Sequence, residues 1–362
     1  MKLLSSSSAM SESPLPIVPI EVLKRYHVHE HNDDRLKACA RLLQALWLRD
    51  RKIPTGVHQR PDGRTRRLGS RLSPAAAAAG RNFLTPELAA MAQHVIAYRE
   101  PGAFMPSTRV LSNGLSSTTL CLQVMLTLAA NLDIATRVFR NLLPDQDVGQ
   151  VAAIRFEHSL GRRDPSLTAD NSAHDCVVYF RRPAGSQHLY DRGVIAMEFK
   201  YTEGLYDSAP CEIGRYDDLA EASGLFKDSY HVALRVNPLQ QLFREHLLAQ
   251  ASVMRGDWPS AVFVNVAPAA NVRVQRQAEL YRAFLTPNVP GQVPFVNVTL
   301  DAFVAAMERA GAGEAAAALF ERYLNWQRID ELVRAAVQAR VSKWPARKER
   351  KSAPLKIVRH VR

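Results

Sequence analysis

The 362-residue chain carries only four cysteines, Cys39, Cys121, Cys176 and Cys211, widely separated and with no C-x-x-C pair. That spacing argues against a disulfide framework and is expected of reduced, mostly buried thiols in a cytoplasmic protein. No apolar run approaches the length of a membrane span. Residues 5–8 are all serine and follow Met1-Lys2-Leu3-Leu4 at once, so no signal-peptide core is expected. There is no internal repeat, helix-turn-helix or zinc-finger pattern. Acidic residues are the scarcer charge, 35 against 47 Lys and Arg, for a net +12. Such an imbalance favours a polyanionic partner.

Apolar residues make up 47% of the chain, enough to fill the core of one large or two modest domains. The most informative stretch is 170–203. Cys176-Val177-Val178-Tyr179-Phe180 has the β-branched and aromatic content of a strand, with Asp175 just before it. After a turn-rich segment, 194–201 forms a second strand, on which Ile195, Met197 and Phe199 share one face and Glu198 and Lys200 the other. In an antiparallel hairpin Asp175 joins Glu198 and Lys200 only if paired numbers sum to an odd value, for example 175 with 200 and 177 with 198. Two carboxylates held together repel unless a cation sits between them. Hard oxygen ligands suit Mg2+ (or Mn2+), which can activate water against a phosphoryl group, with the lysine orienting water or offsetting charge.

The spacing of Asp175 from Glu198-Phe199-Lys200 resembles the PD-(D/E)XK nuclease superfamily, the restriction-endonuclease-like fold. The wider context of 115–123 (LSSTTLCLQ), the KYTE ending at 200–203 and 237–249 (NPLQQLFREHLLA) resembles a group of bacterial proteins described as restriction endonucleases, over about residues 35–335. His174 replaces the motif's proline, and Gln123 stands where the closer group has Asn. The resemblance implies that Asp175, Glu198 and the Phe199 backbone carbonyl bind the metal and that Lys200 is catalytic. It also makes Gln241 and Arg244, three apart on one helical face, candidates for supporting the site or holding a phosphate; the alternative is an exposed face. Asp50-Arg51-Lys52 and Glu349-Arg350-Lys351 also match acid-x-Lys, but neither lies in an apolar strand.

The expected fold is α/β: an N-terminal helical region, then a restriction-endonuclease-like core whose mixed sheet combines an antiparallel meander with a strand reached by a helical crossover. The expected divisions are a disordered 1–20, a helical 21–145, a nuclease-like 146–338 and a basic tail 339–362. Along the chain, Tyr26 to His31 holds alternating histidines that would suit zinc on an extended strand. Asn32 or Asp33 is expected to cap a first helix, Thr85-Pro86 a second and Asp133 a later one. Residues 51–74 read as a loop, solvated or phosphate-contacting. Strands are expected at 150–158, 261–266 and 293–298, and helices at 117–131, 216–225, 274–285, 300–310 and 313–338, with Phe320, Tyr323, Leu324 and Trp326 as packing residues.

Glu157 would supply a third carboxylate or pair with Arg155 or Arg162, and Asp170 and Glu203 are reserves. Arg64, Arg66 and Arg67, with Lys348, Arg350 and Lys351 in the tail, are the expected nucleic-acid contacts. The expected function is a metal-dependent DNA endonuclease, with a restriction or defence role. The alternatives are a non-catalytic nucleic-acid-binding or scaffold protein of the same fold and a nuclease acting on RNA or branched DNA.

Overall fold

The computed structural model describes residues 15–59, 63–183, 192–206, 213–287 and 289–342. Helices α1 (Ile20–Arg25) and α2 (Arg35–Asp50) precede a hairpin of β1 (Thr55–Gln59) and β2 (Thr65–Leu72). Five helices follow: α3 (Pro74–Ala78), α4 (Pro86–Ala97), α5 (Ser107–Ser112), α6 (Ser117–Ala129) and α7 (Leu132–Leu142). The main sheet opens with β3 (Gln150–His158), β4 (His174–Arg181) and β5 (Arg192–Phe199). Helices α8 (Ile213–Ser223) and α9 (Gln240–Met254) lead to β6 (Ala261–Ala267), and α10 (Val272–Phe284) to β7 (Phe295–Thr299). Three helices, α11 (Leu300–Arg309), α12 (Gly313–Tyr323) and α13 (Trp326–Ser342), end the described chain.

The sheet order is β3-β4-β5-β6-β7. The first three strands form an antiparallel meander, while β6 and β7 add in parallel, so α8 and α9 form the crossover. This is the expected mixed α/β architecture. Because strand side chains alternate, the sheet buries both faces. Val178, Ile195, Met197 and Val264 pack against Val124, Phe139, Phe303 and Leu319 of the helices α6, α7, α11 and α12. Val177, Ala196 and Phe263 pack on the other side against Tyr216, Phe243, Leu247 and Tyr281 of α8, α9 and α10. The first of these cores crosses the expected division at 145/146. Arg322, fully buried on α12, adds a further tie: it bonds Gln44 of α2 and both the carbonyl and side-chain oxygens of Asn82, and lies over the Trp47 ring.

Several local expectations need correction. Residues 51–74 hold the β1–β2 hairpin rather than a loop. Its second strand, TRRLGSRL, hides its alternation among arginines, yet Leu68, Ser70 and Leu72 are buried. Gly69 is required there, since a Cβ would stand 2.1 Å from the Tyr26 carbonyl oxygen. Asp34, not Asn32 or Asp33, caps α2 by accepting from Lys37 N, and Asn131 rather than Asp133 caps α7. The expected single helix at 313–338 breaks at Leu324, because the Asn325 side chain accepts from Arg328 N and starts α13. Phe320 is exposed rather than packed. Leu15 and Val18 pack against Leu42 and Ile329, so 15–20 is not the disordered segment expected there; residues 1–14 lie outside the described residues. Among the described residues no single helix is long and apolar enough to cross a membrane.

Two histidines sit wholly inside the protein. His246 bonds the Tyr281 hydroxyl and the Val293 carbonyl, and His174 the Glu245 carbonyl. Burial pulls each imidazole from 6.5 down to about 4. The unfolded chain therefore takes up protons below 6.5 that the folded chain refuses until about 4, and stability falls as pH drops through that window. The expected loss at pH 5 relative to pH 7 is roughly 2 kcal/mol per histidine. Thermal melts of wild type and His246→Gln check this: the variant should lose less stability between the two pH values, and an unchanged dependence would contradict it.

Candidate active site

Where β5 runs out of the sheet, three strands bring acids into a row. In β4–β5, Cys176 pairs with Met197 and Val177 with Ala196, which sets Asp175 opposite Glu198. The parity is the odd sum that places both on one face; the register lies two residues along β5 from the example of 177 with 198. On the other side of β4, Phe156 pairs with Cys176 and His158 with His174, so Glu157 falls beside Asp175. The Asp175 Oδ2 accepts from the Phe199 backbone N–H at 2.8 Å, and this tie holds the acid against the end of β5. Lys200 continues β5 in line with Glu198, donates its backbone N–H to the Val266 carbonyl (2.8 Å), and places Nζ 2.6 Å from Glu198 Oε1. Glu198 and Lys200 are only 5% and 8% exposed, at the floor of a cleft of about 1120 Å3.

Helix α9 closes this floor. Residues 240–252 are all buried, so Gln241 and Arg244 do not form an exposed helical face. The Gln241 amide donates to Glu198 Oε1 (2.7 Å) and to Glu245 Oε1 (2.9 Å). Arg244 lies 3.8 Å from Asp170. Glu245 is a site residue that the sequence reading missed; it is 3% exposed, and its Oε2 has no hydrogen-bond partner among the described residues. Its signal was the four-residue spacing from Gln241, which aligns the two on one helical face.

The reserves are otherwise engaged. Asp170 accepts from the Tyr216 and Ser172 hydroxyls, and Glu203 from the Tyr201 and Thr202 N–H groups. Glu157 has no ion pair with Arg155 or Arg162 among the described contacts; its Oε1 accepts from Phe104 N at 3.4 Å. Gln123, the other departure from the family pattern, lies in the core, bonded to Leu84 N and Asn82 O.

Electrostatically the site is short of positive charge. Burial, and then the neighbouring Glu198 carboxylate, push Asp175 and Glu245 well above the usual carboxyl range and raise Glu157 to about 7. Burial alone would lower the Lys200 ammonium, but Glu198, Glu203, Asp175 and Glu245 outweigh it and hold Lys200 above the ordinary lysine value. Lys200 is therefore held in its charged form within this cluster. Among the described residues no three His, Cys, Asp or Glu side chains form a ready metal cage. A magnesium-type ion does not need one, since it binds through one or two carboxylates and keeps several waters. The donor set, Asp175, Glu198 and the Phe199 carbonyl, fits that chemistry, and the mutual repulsion of the acids favours it.

The cleft collects cations, among them Lys37, Arg109, Arg163 and Arg273. Of the basic residues expected to contact nucleic acid, Arg64, Arg66 and Arg67 are not among its lining residues; Arg66 pairs with Glu30 and Arg67 bonds Thr55 Oγ1 at 3.0 Å. Lys348, Arg350 and Lys351 lie outside the described residues.

An antiparallel meander, a helical crossover to a parallel strand, and an acid-led strand beside an acid-x-lysine strand define a nuclease-type core. A family model described as the PD-(D/E)XK nuclease superfamily matches residues 31–325, and the chain belongs to that superfamily. No curated protein and no solved structure matches it.

Glu245 gives a test of the charge imbalance. Its raised carboxyl pKa means that the folded chain resists an ionisation the unfolded chain makes freely, so stability falls as pH rises above the usual glutamate range. In chelator at pH 8, Glu245→Gln should be more stable than wild type by roughly 1–3 kcal/mol, and the gain should shrink at pH 6. Destabilisation by the neutral isostere at pH 8 would contradict this.

Proposed function

We propose that the chain is a divalent-metal-dependent deoxyribonuclease that hydrolyses phosphodiester bonds. The observation that carries the reading is the convergence of Asp175, Glu198 and Lys200 on one side of two neighbouring strands, at the floor of a cation-lined cleft. Asp175, Glu198 and the Phe199 carbonyl would hold Mg2+ or Mn2+. Such an ion, when bound, supplies Lewis-acid polarisation of a phosphoryl oxygen and acidifies water.

The chain's own groups supply the rest. Lys200, kept protonated by its carboxylate neighbours, offsets the negative charge that grows on the phosphoryl oxygens and orients the attacking water. Gln241 fixes the Glu198 carboxylate through its amide, and Glu245 anchors that amide from the next turn. Glu157, which lines the cleft beside Asp175 and whose carboxyl burial raises to about 7, would take a proton from the attacking water. Lys37, Arg109, Arg163 and Arg273 hold the flanking phosphates, and the net charge of +12 draws DNA in. The resemblance to bacterial restriction endonucleases supports a restriction or defence role.

Incubation of purified protein with circular DNA, both supercoiled duplex and single-stranded, in Mg2+ or Mn2+ tests this. Wild type should cut, and Glu198→Ala and Lys200→Ala should each lower the rate by at least about 100-fold. Lys200→Ala should keep its fold and its DNA affinity. Undiminished cleavage by either variant, or unfolding of Lys200→Ala, would contradict the assigned roles.

A further inference from the structure

Two large aromatic side chains stand in the open at the rim of the cleft. Phe104 is 73% exposed and Tyr206 60% exposed, and both line the cavity whose floor holds the acids. They flank the acid row from different sides. Phe104 is fixed at the β3 side, where its N–H reaches Glu157. Tyr206 follows β5 by a few residues and lies on the α10 side. Its ring packs over Gly204: a Cβ there would stand 2.8 Å from the ring and 3.1 Å from the Arg273 side chain. Ring and guanidinium stem thus lie side by side, a flat apolar surface next to a cation. Exposed aromatics interleaved with basic side chains are the elements with which proteins hold unpaired bases and their phosphates.

The dimensions point the same way. The cleft, at about 1120 Å3, is close to the pockets of roughly 300–1,000 Å3 that hold small ligands. It has room for a few nucleotides. The groups proposed to act on the phosphodiester lie almost fully buried at its base, with Glu198 5% and Lys200 8% exposed. In an intact duplex the phosphates face outward, but the bases are paired and stacked and cannot lie on aromatic side chains at the rim; an unpaired strand can offer its phosphate and its bases together.

We infer that the cleft takes an unpaired DNA strand, with Phe104 and Tyr206 as base-stacking platforms on either side of the scissile phosphate. The inference rests on the nuclease reading for the place of that phosphate and names the form of the substrate. Binding of a labelled oligonucleotide of about 20 nucleotides, single-stranded or annealed to its complement, is measured by fluorescence anisotropy in chelator, where cleavage is suppressed. The single strand should bind at least about tenfold tighter than the blunt duplex. Phe104→Ala and Tyr206→Ala should each weaken single-strand binding by about tenfold, and Phe104→Trp should retain it.

Both alanine variants replace exposed side chains, and their melting temperatures confirm the fold. Four phosphate contacts would give a log–log salt slope near −3 for the single strand. Equal affinity for duplex and single strand, or unchanged binding by both alanine variants, overturns the inference. The two readings fail separately. Glu198-dependent cleavage without a strand preference removes this inference alone, and a strand preference without cleavage of any DNA removes the nuclease reading alone.

Discussion

One ammonium faces a row of carboxylates in a space that water barely screens. Lys200 Nζ meets Glu198 Oε1 at 2.6 Å, and burial beside that carboxylate pushes the Asp175, Glu157 and Glu245 carboxyls upward. Left as it stands, such a cluster is destabilising, because each buried acid must either give up its ionisation or carry a poorly compensated charge. Backbone bonds at 199 and 200 hold the end of β5, and α9 is too deeply packed to swing Glu245 into solvent. The imbalance is the kind that a divalent ion and a polyanionic substrate, brought together, would relieve.

The scaffold follows from this constraint. A sheet buried on both faces gives β4 and β5 fixed spacing, so acids on neighbouring strands stay within reach of one another. The change from antiparallel to parallel pairing at β5 and β6 sends the chain out through α8 and α9, which covers the site's floor from one side. Phe104 and Glu157 border it on the other. Arg322, bonded to Gln44 and Asn82, joins the N-terminal helices to the C-terminal ones, and the cleft takes its walls from residues as far apart as Asn32 and Arg273.

The sheet and the triad were legible because strand pairing obeys a period of two. Continuous apolar runs at 176–180 and 194–199, interrupted only by Glu198, marked the two strands; their period of two determined which side chains share a face, and parity brought Asp175 to them. The pairing offset was not legible, since no turn residue in the intervening loop selects one register. The β1–β2 hairpin escaped because Arg66, Arg67 and Arg71 mask an alternation that only contact with α2 makes visible. Helix α9 misled for the converse reason. Gln241, Arg244 and Glu245 have the composition of a solvated face, and only the tertiary fold shows that they line a buried polar floor. Helix caps shifted by one or two residues, at Asp34 and Asn131, because several capping residues stood next to one another and the choice depended on local geometry.

The most direct test is calorimetric titration of the protein with Mn2+ at pH 7 in two buffers of different ionisation enthalpy. Because burial beside Glu198 raises the Asp175 and Glu245 carboxyls in the ion-free cluster, uptake of the ion should expel protons, about one per ion bound. Binding and proton release should both vanish in Asp175→Asn and in Glu198→Gln. A wild type that binds no ion, or variants that bind it as well as wild type, would contradict the claim that these side chains form a metal-dependent hydrolytic centre.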